Sequence, residues 1–362
     1  KSTNDDTSHL RVKRTLLRNM AYRWTFPIEY DIGYYLNETI IEEAIDVLEK
    51  ETCITFKRVR NFTGPGLHYV YGFGCQSYIG KVSNYRPQQV SIGYRCDRQT
   101  IILHETCHAL GMIHEMNRPD RDKYIKFNLN NLNQRHARDF ELISSKKSLS
   151  FGLKYDYGSV MHYDRIAGSI NKQPLMVPRE IHYLNTIGQT TEFGFNDVKQ
   201  LNLYYCSDKC KKKLNCKVGG YPNPHKCNEC KCPRFYTGKL CEKLLESDST
   251  CGKIKFHAKS VPQTFSIEGK KSCYIQVVVP ERYKVRISVL EATLDYSFIC
   301  QPNNGLEVKY RADKSVSGAI FCGNVTNGVI VSEKHVVVMR YVGKEANHNV
   351  KIKFQRVTPF VD

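Results

Sequence analysis

The 362-residue chain has no apolar run approaching the roughly 20 residues needed to cross a bilayer, so no segment reads as a membrane helix. It also lacks a start resembling a signal peptide, because Lys1 to Arg18 is polar and basic. A secreted protein in this numbering would already have lost its signal. Internal repeats and low-complexity tracts are missing too. Hydrophobic residues make up 41% and charged residues 25%, the proportions of a globular protein, so disorder is excluded as the default. Acidic residues are in short supply: 36 Asp and Glu stand against 54 Lys and Arg, a formal net charge of +18. Such an excess points to polyanions. Acidic glycans, anionic matrix or acidic substrate segments are the candidate partners, with a basic solvated surface as the plain alternative.

Cysteine is abundant. Fifteen residues, crowded into the C-terminal half, indicate disulfides and an oxidising, extracellular setting, with a zinc ribbon as the alternative. In that setting nucleic acid is an improbable partner. Sequons at Asn37, Asn61 and Asn324 point the same way.

The length allows two or three domains. Arg11-Val12-Lys13-Arg14 reads as a processing site for a furin-like convertase cutting after Arg14, against a surface charge run. Tyr22 to Cys206 reads as mixed α and β. Asn37-Glu38-Thr39 is a helix cap, and Ile40, Ile41, Ala44, Ile45 and Leu48 recur at helical spacing up to about Glu51. Segments 54–59, 68–71, 75–81 and 89–92 read as short strands, and 99–110 returns to helical period. From Cys210 to Cys241 six cysteines occur among Gly, Pro and Lys with few aliphatics, a segment that must be stapled rather than packed. Beyond Cys251, alternation at 274–279, 284–289 and 335–341 predicts an all-β sandwich or barrel.

The most informative string is His104-Glu105-Thr106-Cys107-His108-Ala109-Leu110-Gly111-Met112-Ile113-His114. On a helix, His104 and His108 share one face and reach one ion, while Glu105 stands beside it, placed to act as a general base. Gly111 supplies the positive φ that ends the helix and lets His114 approach as a third ligand. Three imidazoles leave a fourth position open, the mark of a catalytic zinc. Ordinary residue frequencies produce this whole string in fewer than roughly one chain in ten thousand. Downstream, Ser159-Val160-Met161-His162-Tyr163 follows a tight turn and matches a Met-turn.

Read out to Asp122, the string HETCHALGMIHEMNRPDRD resembles the astacin signature HExxHxxGxxHExxRxDRD, and Ser159–Tyr163 resembles that family's SxMHY turn. Trp24, Pro27, Tyr30 and the segment Gly74–Gly80 are also similar to astacin catalytic domains. The resemblance implies a multidomain α+β chain. A propeptide remnant (1–14) would precede a metzincin-type peptidase domain (15–206) with a twisted mixed sheet and long helices. A small disulfide-rich EGF-like module (207–245) and an all-β CUB sandwich (251–357) would follow. It implies one Zn2+ per chain on His104, His108 and His114, Glu105 as catalytic base, and Tyr163 as a switchable fifth ligand that stabilises the tetrahedral intermediate. Met161 would floor the site. Glu115 would meet the new amino terminus (Thr15) after zymogen cleavage, and Arg118, Asp120, Arg121 and Asp122 would form an ion network behind it.

The implied disulfides are Cys53–Cys206 and Cys75–Cys96 in the peptidase, then Cys210–Cys227, Cys216–Cys230 and Cys232–Cys241 in the EGF-like module. Cys251–Cys273 and Cys300–Cys322 would close the CUB domain. Cys107 is left over, a buried free thiol or a competitor for the metal. No acidic cluster precedes Cys210, and Gly305-Leu306-Glu307-Val308 replaces the Asp-bearing step of a CUB domain, so calcium is not expected in either module. The function implied is a secreted zinc endopeptidase acting on extracellular proteins. A vestigial peptidase serving as an adhesion scaffold is the alternative, although no catalytic position is missing. Subsite residues are expected within 168–188, and the basic charge agrees with a preference for acidic residues after the cut.

Overall fold

The computed structural model describes residues 16–18 and 20–359. The Arg11–Arg14 processing site and Thr15 lie outside the described residues. The upper half of the N-terminal region is a five-stranded sheet made of β1 (Ile28–Ile32), β2 (Phe56–Arg58), β3 (Gly66–Val70), β4 (Cys75–Ser77) and β5 (Gln88–Ile92). Their order is β2-β1-β3-β5-β4, with β4 antiparallel and the other neighbours parallel. Helix α1 (Glu38–Glu51) packs Ile41, Ala44, Ile45 and Leu48 into the core, and Asn37 Oδ1 accepts from Ile40 N at its start. Helix α2 (Gln99–Ala109) packs against α1, β4 and β5 with little of its length exposed.

The lower half is irregular: 3₁₀ turns, a short ladder of Ile125–Phe127 with Met176–Pro178, and helix α3 (Phe195–Tyr205). The long helices of the sequence-based expectation are thus of ordinary size, 14, 11 and 11 residues among those described. Residues 134–140 wind into a 3₁₀ helix. Cys53–Cys206 ties the end of α1 to the end of α3, and Cys75–Cys96 ties β4 to the loop before α2.

Residues 210–244 hold two small hairpins and three disulfides, Cys210–Cys227, Cys216–Cys230 and Cys232–Cys241. The C-terminal region is a β-sandwich. One sheet has the order 255–257, 271–278, 336–343, 305–309, 319–321, and the other 263–268, 349–357, 284–293, 325–331. Its bridges are Cys251–Cys273 and Cys300–Cys322. Among the described residues no helix is long and apolar enough to cross a membrane.

The upper half has its own core around Trp24, Leu48, Tyr69 and Leu103. The lower half is divided: Val160, Met161, Leu201 and Tyr205 join that core. Tyr155, Tyr157, Tyr183 and Met176 belong to one continuous cluster with Leu306, Val308 and Tyr310 of the sandwich. The Tyr157 and Tyr183 rings stack at 4.4 Å, and Tyr310 follows at 5.8 Å. Polar bonds cross the same boundary: Ser317 N donates to Asp156 Oδ1 (3.0 Å), Arg311 Nη1 to Tyr155 O (2.8 Å) and Ile320 N to Thr186 Oγ1 (2.9 Å).

Candidate active site

The cleft lies between β4, the free edge of the upper sheet, and the irregular lower half. Its floor is a cavity of about 500 Å³ reached by His104, Glu105, His108, His114 and Tyr163. Helix α2 sets His104 and His108 one turn apart. It ends at Gly111, whose φ of +101° is open to glycine, and a Cβ there would fall 2.6 Å from Met20 Sδ. The reversal carries His114 back beneath the helix.

The three imidazoles converge. His108 Nε2 lies 3.0 Å and His104 Nε2 3.2 Å from His114 Nε2, and the three ligand atoms all fall within 4.8 Å of one another. His104 Nδ1 donates to Val160 O (2.9 Å) and His108 Nδ1 to Met112 O (2.8 Å). These bonds fix the tautomers of His104 and His108, so their Nε2 lone pairs both face the Nε2 of His114. Bonds of 2.0–2.1 Å in a tetrahedral site set ligand nitrogens about 3.3 Å apart, close to the spacing found here. Desolvation holds His104 down at about 4 and His108 at about 3, the latter helped by its imidazole neighbour, and it depresses His114 as well. All three are therefore neutral, the form that binds metal. The donor set fits zinc with a position open to the cavity.

Glu105 stands on the same helix at the cavity wall, 5% exposed, with its carboxyl pushed up to about 8 by burial. Tyr163 stands opposite, its ring 4.4 Å from that of His114. Cys107 is free and fully buried, facing the core rather than the three-imidazole cluster.

The floor is held from behind. Met161 is buried, its N bonded to Ser159 Oγ and its carbonyl to Glu115 N. Glu115 Oε1 accepts from Asp156 N (2.8 Å) and Arg118 Nη1 (3.0 Å). Arg118, 1% exposed, forks onto both oxygens of Asp120. Arg121 donates to Met116 O and Phe140 O and touches Asp122 only at 3.4 Å, so the ion network expected from the sequence is compact around Arg118 and loose at its far end.

Two carboxylates escaped the sequence reading. Asp197, in the first turn of α3, takes Ser159 Oγ (2.6 Å) and Val160 N (3.0 Å), and so fixes the carbonyl that orients His104. Asp156 links Glu115 to the sandwich. Asp156 had a signal in its place within Tyr155-Asp156-Tyr157-Gly158, whereas Asp197 had none.

The family model described as astacin, a family of peptidases, matches residues 16–206. The chain belongs to the astacin family. Zinc metalloproteinase nas-34 of Caenorhabditis elegans is 35% identical over 99% of this chain and 60% of its own length. Zinc metalloproteinase nas-26 of the same nematode is 31% identical over 96% of this chain and 86% of its own. The solved structure of high choriolytic enzyme 1, a hatching enzyme zinc-protease from the medaka Oryzias latipes, is 32% identical, covering 49% of this chain and 88% of that one with a TM-score of 0.45. This astacin chain therefore spans less than two thirds of the length of nas-34. Zinc is the cofactor that its three histidines fit.

The other sites expected from the sequence are placed as follows. Asn37, Asn61 and Asn324 are all exposed. Cleft-lining residues fall at Asp164, Ala167 and Gly188–Thr190, flanking rather than filling the 168–188 stretch in which subsites were expected. The intervening chain runs away from the cavity to form the strand at Met176–Pro178 and the turn at Ile181–Tyr183.

Proposed function

We propose that this chain is a secreted endopeptidase that hydrolyses extracellular proteins, with Glu105 as general base and Tyr163 as oxyanion donor. The observation that carries it is the convergence of the three Nε2 atoms, with Nδ1 of His104 and His108 locked on carbonyls. A zinc ion held there supplies a Lewis acid for the scissile carbonyl and a site for the attacking water. Glu105 takes the proton of that water and later hands it to the departing amine. The Tyr163 hydroxyl donates where negative charge develops on the carbonyl oxygen. Buried walls around Glu105 and Val160 exclude bulk water and strengthen both interactions.

The module boundaries belong to the same proposal: peptidase 15–206, EGF-like module 207–245 and CUB domain 251–357, preceded by a propeptide remnant cut after Arg14. Seven disulfides among the described residues and three exposed sequons support an extracellular setting. N-glycosylation at Asn37, Asn61 and Asn324 is part of the proposal. Asn37 can carry a glycan on its amide nitrogen, because its oxygen makes the helix cap. Nothing in the site favours the scaffold reading. The test is cleavage of casein by the trimmed, zinc-loaded protein and its Glu105→Ala variant. Activity in the first and none in the second is expected, and cleavage that survives in the variant would sink the assignment of the base.

A further inference from the structure

The charge of the cleft opposes that of the chain. The sequence carries a formal +18, yet among the described residues no Lys or Arg lines the cavity above the three imidazoles. The formally charged groups there are the carboxylates of Glu105, Asp139 and Asp164.

Asp164 is a built feature of the wall. Its Oδ1 accepts from Ile166 N (2.7 Å) and Ala167 N (2.9 Å), which fixes the carboxylate directly after Tyr163. Gly188 packs against it so closely that a Cβ would fall 2.4 Å from Asp164 Cβ, and the glycine has a φ of +86°. The wall then continues through the uncharged Gln189 and Thr190. Asp139 faces the same space from the 3₁₀ helix 134–140, with His136 Nδ1 3.0 Å from its carboxylate and both side chains about half exposed.

Two neighbouring cations are engaged elsewhere. Arg165 turns toward the sandwich, donating to Phe298 O (2.7 Å) with its guanidinium 3.6 Å from the centre of the Phe298 ring. Arg121 spends its donors on Met116 O and Phe140 O. A substrate carboxylate entering this wall would meet two like charges and no Lys or Arg. A substrate ammonium or guanidinium would meet two acceptors.

Building on the peptidase reading above, we propose that the cleft selects peptides carrying Lys or Arg beside the scissile bond, with Asp164 and Asp139 as the residues that determine this specificity. This reverses the preference for acidic substrates that the net charge suggested.

The experiment uses fluorescein-labelled peptides that differ only in having Lys or Glu at one of the positions flanking the bond. They are titrated by anisotropy into the full zinc-loaded Glu105→Gln chain, which keeps the cleft and removes the base. At one position at least, the Lys peptide is expected to bind about tenfold more tightly than its Glu twin at low salt, with the ratio shrinking as salt screens the pair. Asp164→Asn with Asp139→Asn should bring the ratio close to one, because the amide oxygen of the first substitution keeps the acceptor for the turn and leaves the wall in place. Equal or tighter binding of the Glu peptides at every position, or a ratio unchanged in the double variant, would overturn the proposal. Cleavage of the same peptides by the unmutated chain separates the two readings. Discrimination in binding without any cleavage upholds the charged wall against the peptidase assignment. Efficient cleavage of Lys and Glu peptides alike does the reverse.

Discussion

Replacing Asp197 by Ala tests how the floor of the site holds the metal ligands. Asp197 is buried and receives Ser159 Oγ at 2.6 Å and Val160 N at 3.0 Å, while Val160 O receives His104 Nδ1 at 2.9 Å. Removing the carboxylate leaves two buried donors without acceptors. At about 1–3 kcal/mol for each group stranded, the loss is about 2–6 kcal/mol, a large part of a typical domain's stability. Because the His104 carbonyl partner loosens with it, zinc affinity should fall by about 10–100-fold. The measurements are urea unfolding of the zinc-loaded protein and competition for zinc with a chromophoric chelator. If stability falls while zinc affinity stays within a factor of about two, Asp197 is structural only and the proposed line of force to His104 is refuted. Asp197→Asn adds a pH signature. Burial chiefly, with Asp156 nearby, raises the Asp197 carboxyl to about 7, above its ordinary 3.8. The native state thus binds this proton more tightly than the unfolded chain. That contribution is fully present below about pH 4 and lost as pH rises toward 7. Asn cannot ionise, so the wild type should gain stability relative to the Asn variant as pH falls through that window.

Tyr163→Phe removes the hydroxyl proposed to meet the oxyanion and leaves the three imidazoles that hold the metal. kcat/KM on a peptide should drop by about 10²–10³ with zinc content unchanged, and a drop below threefold would reject the role. Arg234→Ala strands two carboxylates, because Arg234 Nη1 pairs with Glu192 and Nη2 with Glu307 Oε2 at 2.8 Å. A loss of about 3–5 kcal/mol in denaturant unfolding is expected for a pair this buried. Gly111→Ala meets both a forbidden φ and Met20, so it should cost more than about 1 kcal/mol and weaken zinc binding through His114, as read by unfolding and chelator competition. Chelation of zinc from the intact chain should lower its thermal midpoint, since three neutral nitrogens facing one another are stabilised by the cation they share; an unchanged midpoint would contradict the fit.

The parts legible in the sequence were those whose chemistry repeats at a local spacing. Histidines four apart on a helix and a glycine that stops it prescribe most of the metal centre before any coordinates. Helix α1 was readable to within two residues because its apolar stripe is clean and Asn37 caps it. The rest was hidden for identifiable reasons. Helix α3 buries Phe195, Val198, Leu201 and Tyr205 at helical spacing but turns Asn196, Asp197, Gln200 and Asn202 inward beside them, so its apolar stripe is interrupted by polar residues. β1 alternates Ile, Tyr and Ile with Glu29 and Asp31 over only five residues, too short to separate from a loop. The strand read across 75–81 stops at Ser77, because Gly80, at φ +79°, turns the chain so that its N–H reaches His108 O at 2.8 Å. Of the 168–188 stretch in which subsites were expected, Gly188 lines the cavity. The residues that reach the cavity are those where that stretch leaves and rejoins the floor.

What no local pattern announces is the dependence of the lower half on the sandwich. A chain of polar contacts leads from the segment after the third histidine to the C-terminal region. Arg118 bonds Glu115, Glu115 bonds Asp156 N, and Asp156 bonds Ser317 N. Beside it, Tyr157, Tyr183 and Tyr310 bury one another across the boundary. A buried aromatic of this kind hides about 150–250 Å², which at about 25 cal/mol per Å² is several kcal/mol for each ring removed from water. That exceeds what a surface contact between independent modules supplies, and it falls on the residues that flank the Met161 turn. The floor beneath the imidazoles is therefore held from two sides. Val160 and Met161 pack into the core around α1 and α2, whereas Met116, Tyr155 and Tyr157, on either side of them in the chain, pack into the sandwich. A substitution in the sandwich core, such as at Val308 or Tyr310, acts on the floor through Tyr155, Tyr157 and the contacts of Asp156, while Val160 and Met161 keep their packing against the upper core.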